Sequence, residues 1–158
     1  MSDIAKTNAM RMLDSAGIEY QIHTYEPGDA IDGVSVAHKL GKDASQVYKT
    51  LVTQGKGGGY FVFVLPVNEE LDLKKAARAA GEKAVEMIPV KDINKVTGYI
   101  RGGCSPVGMK KLYPTVIHED AILLDTFTLS GGKIGMQMEL NPEALCGFIG
   151  AKFEDIIL

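Results

Sequence analysis

Cysteine, histidine and tryptophan are scarce in this chain, at two, three and none among 158 residues. Cys104 and Cys146 lack a CxxC spacing and the histidines are scattered, so neither a disulfide framework nor a zinc site is expected, and no cofactor is called for. Two unpaired cysteines fit a reducing, cytoplasmic setting. Long apolar runs are missing too. The stretch from Tyr60 to Val67 is too short to cross a membrane, and Met1-Ser2-Asp3-Ile4 shows no basic segment leading into an apolar core, so neither a membrane partner nor export is expected. Nor is there a surplus of positive charge. The formal net charge is -3, so bulk electrostatics cannot carry binding to nucleic acid. DNA is not an expected partner, and any RNA contact must rest on a local basic patch.

What the chain does have is the makings of a packed core. Hydrophobic residues at 46% and charged residues at 23% are ordinary for a globular protein, and the length suits one domain spanning residues 1–158. Thr7 to Ala16 carries apolar residues at helical spacing and stops at Gly17. Tyr20 to Tyr25 alternates, with Tyr20, Ile22 and Thr24 on one side and Gln21, His23 and Tyr25 on the other, as a half-buried strand does. Glu26 to Gly33 is turn-rich, and Ser35 to Leu40 before Gly41 reads as a short helix. Val47 to Thr53 and Tyr60 to Leu65 predict a hairpin around Gly55-Lys56-Gly57-Gly58-Gly59. Asp72 caps a helix from Leu73 to Ala80. Lys83 to Ile88 predicts a strand and Pro89 to Val96 a helix opened by proline. Thr115 to Ile117, Ala121 to Thr128 and Lys133 to Leu140 predict strands, the last two joined at Leu129-Ser130-Gly131-Gly132, before a final helix from Asn141-Pro142. Strands and short helices that alternate without a repeat predict an α/β (α+β) fold, with a curved, mixed, barrel-like sheet surrounded by short helices.

Four features could carry chemistry. Lys49 falls in a strand-like run where it shares a face with Val47 and Leu51; a lysine there is costly to desolvate unless it meets an anion or an oxygen, although a sheet-edge lysine reaching into water fits as well. The glycine-rich loop Gly102 to Gly108 could aim backbone N–H groups at a carbonyl, carboxylate or phosphate, or simply turn a corner. Ser130-Gly131-Gly132-Lys133 could hold a sugar or phosphate, or be a hairpin turn. Tyr25 could stack on a base or pack in the core. Arg101, Lys110-Lys111 and Lys74-Lys75 supply a modest set of cations for a phosphate backbone. A catalytic Cys104 is disfavoured because no local histidine activates it, and Ser105 does not sit in a GxSxG elbow.

The blocks Gln21 to Tyr25, Gln46 to Leu51, Leu71 to Lys75, Thr97 to Tyr99, Gly102 to Gly108 with Lys110-Lys111, Ser130 to Lys133 and Ala151 to Phe153 together resemble the YbaK/EbsC family in order and spacing. The family is similar to the editing domain of bacterial prolyl-tRNA synthetases. The resemblance implies a trans-acting aminoacyl-tRNA deacylase that removes Cys from Cys-tRNA(Pro), with tRNA as partner and a transient complex with prolyl-tRNA synthetase. It implies Lys49 as the catalytic residue near the aminoacyl ester, and Tyr25, Thr50, Gly102, Gly103, Ser105, Ser130 and Gly131 around the substrate. The substrate thiol would attack its own ester and release a cyclic thiolactone, so that the protein needs no nucleophile. Three features depart from the family pattern: Ile134 where many members carry arginine, Gln137 where many carry an acid, and a shortened segment from Pro27 to Val34. They leave open the editing of another small amino acid such as alanine, or a binding module without turnover.

Overall fold

The computed structural model describes residues 5–28 and 32–158. Helix α1, Asn8–Ser15, starts where the Thr7 hydroxyl accepts the Met10 N–H, and it buries Ala9, Met10 and Leu13. Strand β1, Gln21–Thr24, follows. Asp29 to Ile31 of the turn-rich stretch lie outside the described residues. Helix α2, Gly33–Lys39, opens on Asp32, whose carboxylate accepts the Ser35 N–H. Strands β2, Tyr48–Gly55, and β3, Tyr60–Pro66, form the expected antiparallel hairpin. Helix α3, Leu73–Ala80, is capped by Asp72 and stopped by Gly81.

After β4, Val85–Met87, the predicted proline-led helix is split into a 3-10 turn, Val90–Asp92, and the short α4, Ile93–Thr97. Strand β5, Thr115–His118, was expected. The predicted strand from Ala121 begins only at Phe127. Glu119–Leu123 forms a 3-10 turn that buries Ala121, and pairing starts where Phe127 meets Leu140. Strand β6, Phe127–Lys133, runs through the supposed hairpin turn and meets β7, Met136–Leu140, beyond it. The turn sits at Ile134-Gly135, where Gly135 has φ 90°. Gly131 and Gly132 are instead taken up by an irregularity in the pairing between Ser130 and Lys133, a common use of glycine within a strand. Helix α5, Pro142–Ile149, is capped by Asn141, and a final strand, β8, Lys152–Glu154, goes beyond the expected set.

The strands fall into two sheets. One has the order β1-β7-β6 and is antiparallel; the other has the order β4-β2-β3-β5-β8 and is mixed, with β3, β5 and β8 parallel. Among the described residues, a single parallel bridge, between Val47 and Thr128, joins them. A mixed sheet and short helices are as predicted, but the two sheets do not close into a barrel. The main core lies between them, where Tyr48, Val52, Val64, Ile117, Phe127, Leu129, Met138 and Leu140 meet α1 and α5. A second cluster on the far side of the five-stranded sheet packs Phe63, Leu65, Val116 and Ile156 under the alanines of α3. No helix among the described residues is long and apolar enough to cross a membrane.

Candidate active site

Strand alternation decides which side chains can meet. Leu129 and Met138 point into the main core, so their neighbours Ser130 and Gln137 point the other way. Cross-strand register puts Ser130 opposite Gln137 and Gln137 opposite His23. Moving two residues on from the Val47–Thr128 bridge along each strand reaches Lys49 on β2 and Ser130 on β6. Residues opposite one another in neighbouring strands share a face. His23, Gln137, Ser130 and Lys49 therefore form one polar file across β1, β7, β6 and β2, on the side away from the main core.

Lys49 is half-buried among apolar neighbours, as its sequence context suggested. Its ammonium donates to the Val67 carbonyl at 3.5 Å, a long contact that leaves most of its donor capacity unused. Burial pulls it below the usual lysine value, and the charges of Glu70 and Glu69 act in the opposite direction. His23 is fixed by Glu139, its Nε2 lying 2.7 Å from Oε1. The same carboxylate oxygen accepts from Lys42 at 3.0 Å, while its other oxygen accepts from the Thr126 hydroxyl. These partners, Thr126 foremost and then His23 and Lys42, outweigh burial and hold the Glu139 carboxyl down to about 2. Period-2 alternation could have found His23 and Gln137, because His23 alternates in step with Tyr25 in the sequence and Gln137 lies opposite His23.

Tyr25 follows just beyond the end of β1. Its N–H donates to the Gly135 carbonyl at 3.1 Å, and a Cβ on Gly135 would stand 3.3 Å from the Tyr25 carbonyl oxygen. The glycine-rich loop reaches the same turn: a Cβ on Gly103 would stand 3.2 Å from the Ile134 nitrogen. Tyr25, the β6–β7 turn and the loop are thus neighbours. Among the described residues, the N–H groups of Gly102 and Cys104 have no partner, whereas the Gly103 N–H donates to the Ile100 carbonyl at 3.0 Å.

Four residues expected at the substrate make contacts within the fold. Gly103 spends its amide inside the loop. The Ser105 hydroxyl is buried and accepts the Val107 N–H at 3.2 Å, so it shapes the loop. Thr50 lies between Tyr48 and Val52, both in the main core, and so turns to the face opposite Lys49; its hydroxyl is buried with no partner among the described residues. Gly131 accepts the Thr7 hydroxyl through its carbonyl, and a Cβ on it would come within 2.6 Å of the Met10 methyl, so it seats β6 on α1. Cys104 is half-buried, and burial pushes its thiol up to about 11, so it is a neutral thiol at neutral pH.

A cavity of about 800 Å³ opens beside α1 and β1, lined by Lys6, Asp14, Tyr20, Gln21, Thr126 and Glu139 among others, so that it adjoins the polar face at Glu139. Lys6 and Asp14 pair across it at 2.7 Å, so these charges satisfy each other. It contains neither Lys49 nor the glycine loop. The polar file, with its under-used ammonium and open amides, is the better candidate for chemistry.

The model of the family described as "Aminoacyl-tRNA editing domain" matches residues 27–148, which takes in Lys49, the glycine loop, Ser130 and Gln137. The chain belongs to the aminoacyl-tRNA editing domain family. It is 47% identical, over 152 residues, to "Putative Cys-tRNA(Pro)/Cys-tRNA(Cys) deacylase EbsC" of Enterococcus faecalis (strain ATCC 700802 / V583), a match covering 96% of this chain and 93% of the relative. Among solved structures, "hypothetical protein APE2540" superposes with a TM-score of 0.88 at 22% identity, covering 96% of this chain and 100% of that one. A structure described as "a putative trans-editing enzyme for prolyl tRNA synthetase" gives 0.81 at 23% identity, with 98% and 99% covered. At these identities the two structures speak for the fold, and this chain has the editing-domain fold.

Proposed function

We propose that this protein is a trans-acting aminoacyl-tRNA deacylase that removes cysteine from Cys-tRNA(Pro), acting as one editing domain in the cytoplasm. The observation that carries this reading is the 47% identity, over nearly the whole of both chains, to a relative named as a Cys-tRNA(Pro)/Cys-tRNA(Cys) deacylase. The polar file supports it. Its floor is rigid sheet, and its cation is partly desolvated, which strengthens its interaction with developing negative charge.

In this reading the terminal adenosine lies along the file, with Tyr25 and Ser130 placing it. The cysteinyl sulfur attacks its own ester carbonyl carbon. The S–C bond forms first and gives a tetrahedral oxyanion; on its collapse the bond from that carbon to the ribose oxygen breaks, and the thiol proton ends on the ribose oxygen. The products are a cyclic thiolactone and uncharged tRNA. Lys49 and the Gly102 N–H stabilise the oxyanion of the tetrahedral intermediate, and the site contributes orientation. No protein thiol takes part, in keeping with the neutral Cys104. A transient complex with prolyl-tRNA synthetase belongs to the same reading, because that enzyme would be the source of the mischarged tRNA.

The test is the deacylation rate of the purified protein on Cys-, Ala- and Ser-tRNA(Pro) and on Cys-tRNA(Cys). Rapid loss of cysteine with serine spared is expected. Faster loss of alanine would move the specificity to another small amino acid, a point on which Ile134 and Gln137 bear. Stability of all four esters would make the protein a binding module for tRNA ends.

A further inference from the structure

Charge is unevenly distributed along this acidic chain. Of its seventeen cations and twenty acids, residues 89–112 hold five, Lys91, Lys95, Arg101, Lys110 and Lys111, against one acid, Asp92. The remainder therefore carries twelve against nineteen. The fold packs the loop that carries Lys110 and Lys111 against α4, which carries Lys95. The Lys110 side chain lies over the end of α4, within 3.4 Å of where a Cβ on Gly98 would stand, and donates to the Lys95 carbonyl at 3.2 Å. The Lys110 N–H donates to the Thr97 carbonyl, and the Tyr113 hydroxyl to the Val96 carbonyl. The loop is thus strapped to α4. At its other end Gly103 lies against Lys133 and Ile134, which adds the exposed Lys133 as a sixth cation.

All six cations are exposed, and among the described residues none takes part in an ion pair. Lys75, by contrast, is engaged by Asp155 and the Ile157 carbonyl, which withdraws it from the cations available to a partner. Apolar side chains stand out between these cations, with Val90, Ile100 and Leu112 at 56%, 56% and 72% exposure. The strip ends at the turn that also holds Tyr25, beside the unpartnered Gly102 N–H.

We infer that this strip, from Lys91 and Lys95 through Lys110, Lys111 and Arg101 to Lys133, is the surface along which the RNA backbone of the substrate runs into the site. The inference rests on the function proposed above and adds where the polynucleotide lies. Exposed cations along a surface that leads to the reacting end suit a phosphate chain, and they supply the local patch that a net charge of -3 demands. The exposed aliphatic groups between them suit ribose and base faces.

The test uses the full chain carrying Arg101→Glu, Lys110→Glu and Lys111→Glu together, beside a control carrying Lys56→Glu and Lys83→Glu, which change charge outside the strip. Binding of uncharged tRNA(Pro) is measured across a salt titration, so the result does not depend on turnover. The triple variant, with its melting temperature checked against the wild type, should bind at least tenfold more weakly. Its slope of log affinity against log salt should be shallower by about two, as the loss of about three phosphate contacts requires. The control should bind like the wild type. Cleavage of a small substrate without a backbone, cysteinyl-adenosine, should proceed equally in wild type and triple variant. Equal tRNA affinity and salt slope in triple variant and wild type would overturn the inference. A wild type that binds tRNA through the strip yet cleaves no ester would overturn the proposed function and leave the strip standing.

Discussion

The outer faces of the two sheets obey the same alternation and end up as opposites. On the five-stranded sheet, Phe63, Leu65 and Val116 are covered by Ala76, Ala77 and Ala79 of α3; small helix residues let helix and sheet approach closely, and the face is sealed. On the three-stranded sheet the corresponding positions are Gln21, His23, Thr128, Ser130, Gln137 and Glu139, a face that stays polar. Lys49 stands where the two meet. It lies opposite Leu65 on β3 and level with Ser130 beyond the bridge to β6. The cost of holding an ammonium beside a sealed apolar face falls when a negative partner is present.

Four changes would sharpen or break this contrast. Phe63→Ala, on the sealed face at 0% exposure, should lower stability by about 3–5 kcal/mol, measured by denaturant unfolding, with the kcat of the remaining folded protein little changed. A loss below about 1 kcal/mol would mean that the face is not a tightly packed core. Lys49→Ala should cost roughly 100- to 1000-fold in kcat while thermal stability holds or rises, because a desolvated charge is removed. Near-normal turnover would move the chemistry away from the file.

Glu139→Gln should cost about 1–2 kcal/mol, as expected for loss of charge-assisted hydrogen bonds. Because the Glu139 carboxyl is held down to about 2 in the fold, against an ordinary 4.5, its contribution is fully present above about pH 4.5. It is lost as the pH falls towards 2. The substitution should flatten the acid limb of the stability profile, and an unchanged limb would show that the clasp on His23 and Lys42 is not formed. The smallest effect is expected from Cys104→Ala, with kcat within about twofold of the wild type; a collapse of activity would revive a thiol mechanism, contrary to a thiol pushed up to about 11.

Much of the architecture was legible because it rests on local signals. Asp72 before Leu73 and Asn141 before Pro142 mark helix starts by their caps, and the glycine tract after Thr53 marks the β2–β3 hairpin. The readings that failed depend on long-range pairing. The turn was placed at Ser130 to Gly132 because glycines favour turns, whereas the contact of Gly131 with Met10 and the pairing to β7 keep it in the strand. Ala121 to Leu124 has strand-like residues but, among the described residues, no strand to pair with. Of the candidate residues, the strand pattern places Lys49 and Ser130 on one face, and Tyr25 and the loop of Gly102 come to one turn, while Thr50 turns to the opposite face and the Ser105 hydroxyl is taken up inside its loop.

By itself, then, the sequence determined the elements, the mixed class and the presence of an awkward lysine, because caps, glycines and alternation act within a few residues. Only the tertiary structure decided which side chains share a face with that lysine. That depends on one bridge, Val47 to Thr128, between strands far apart in the chain, and a shift of one residue there would send Ser130 to the opposite side of the sheet.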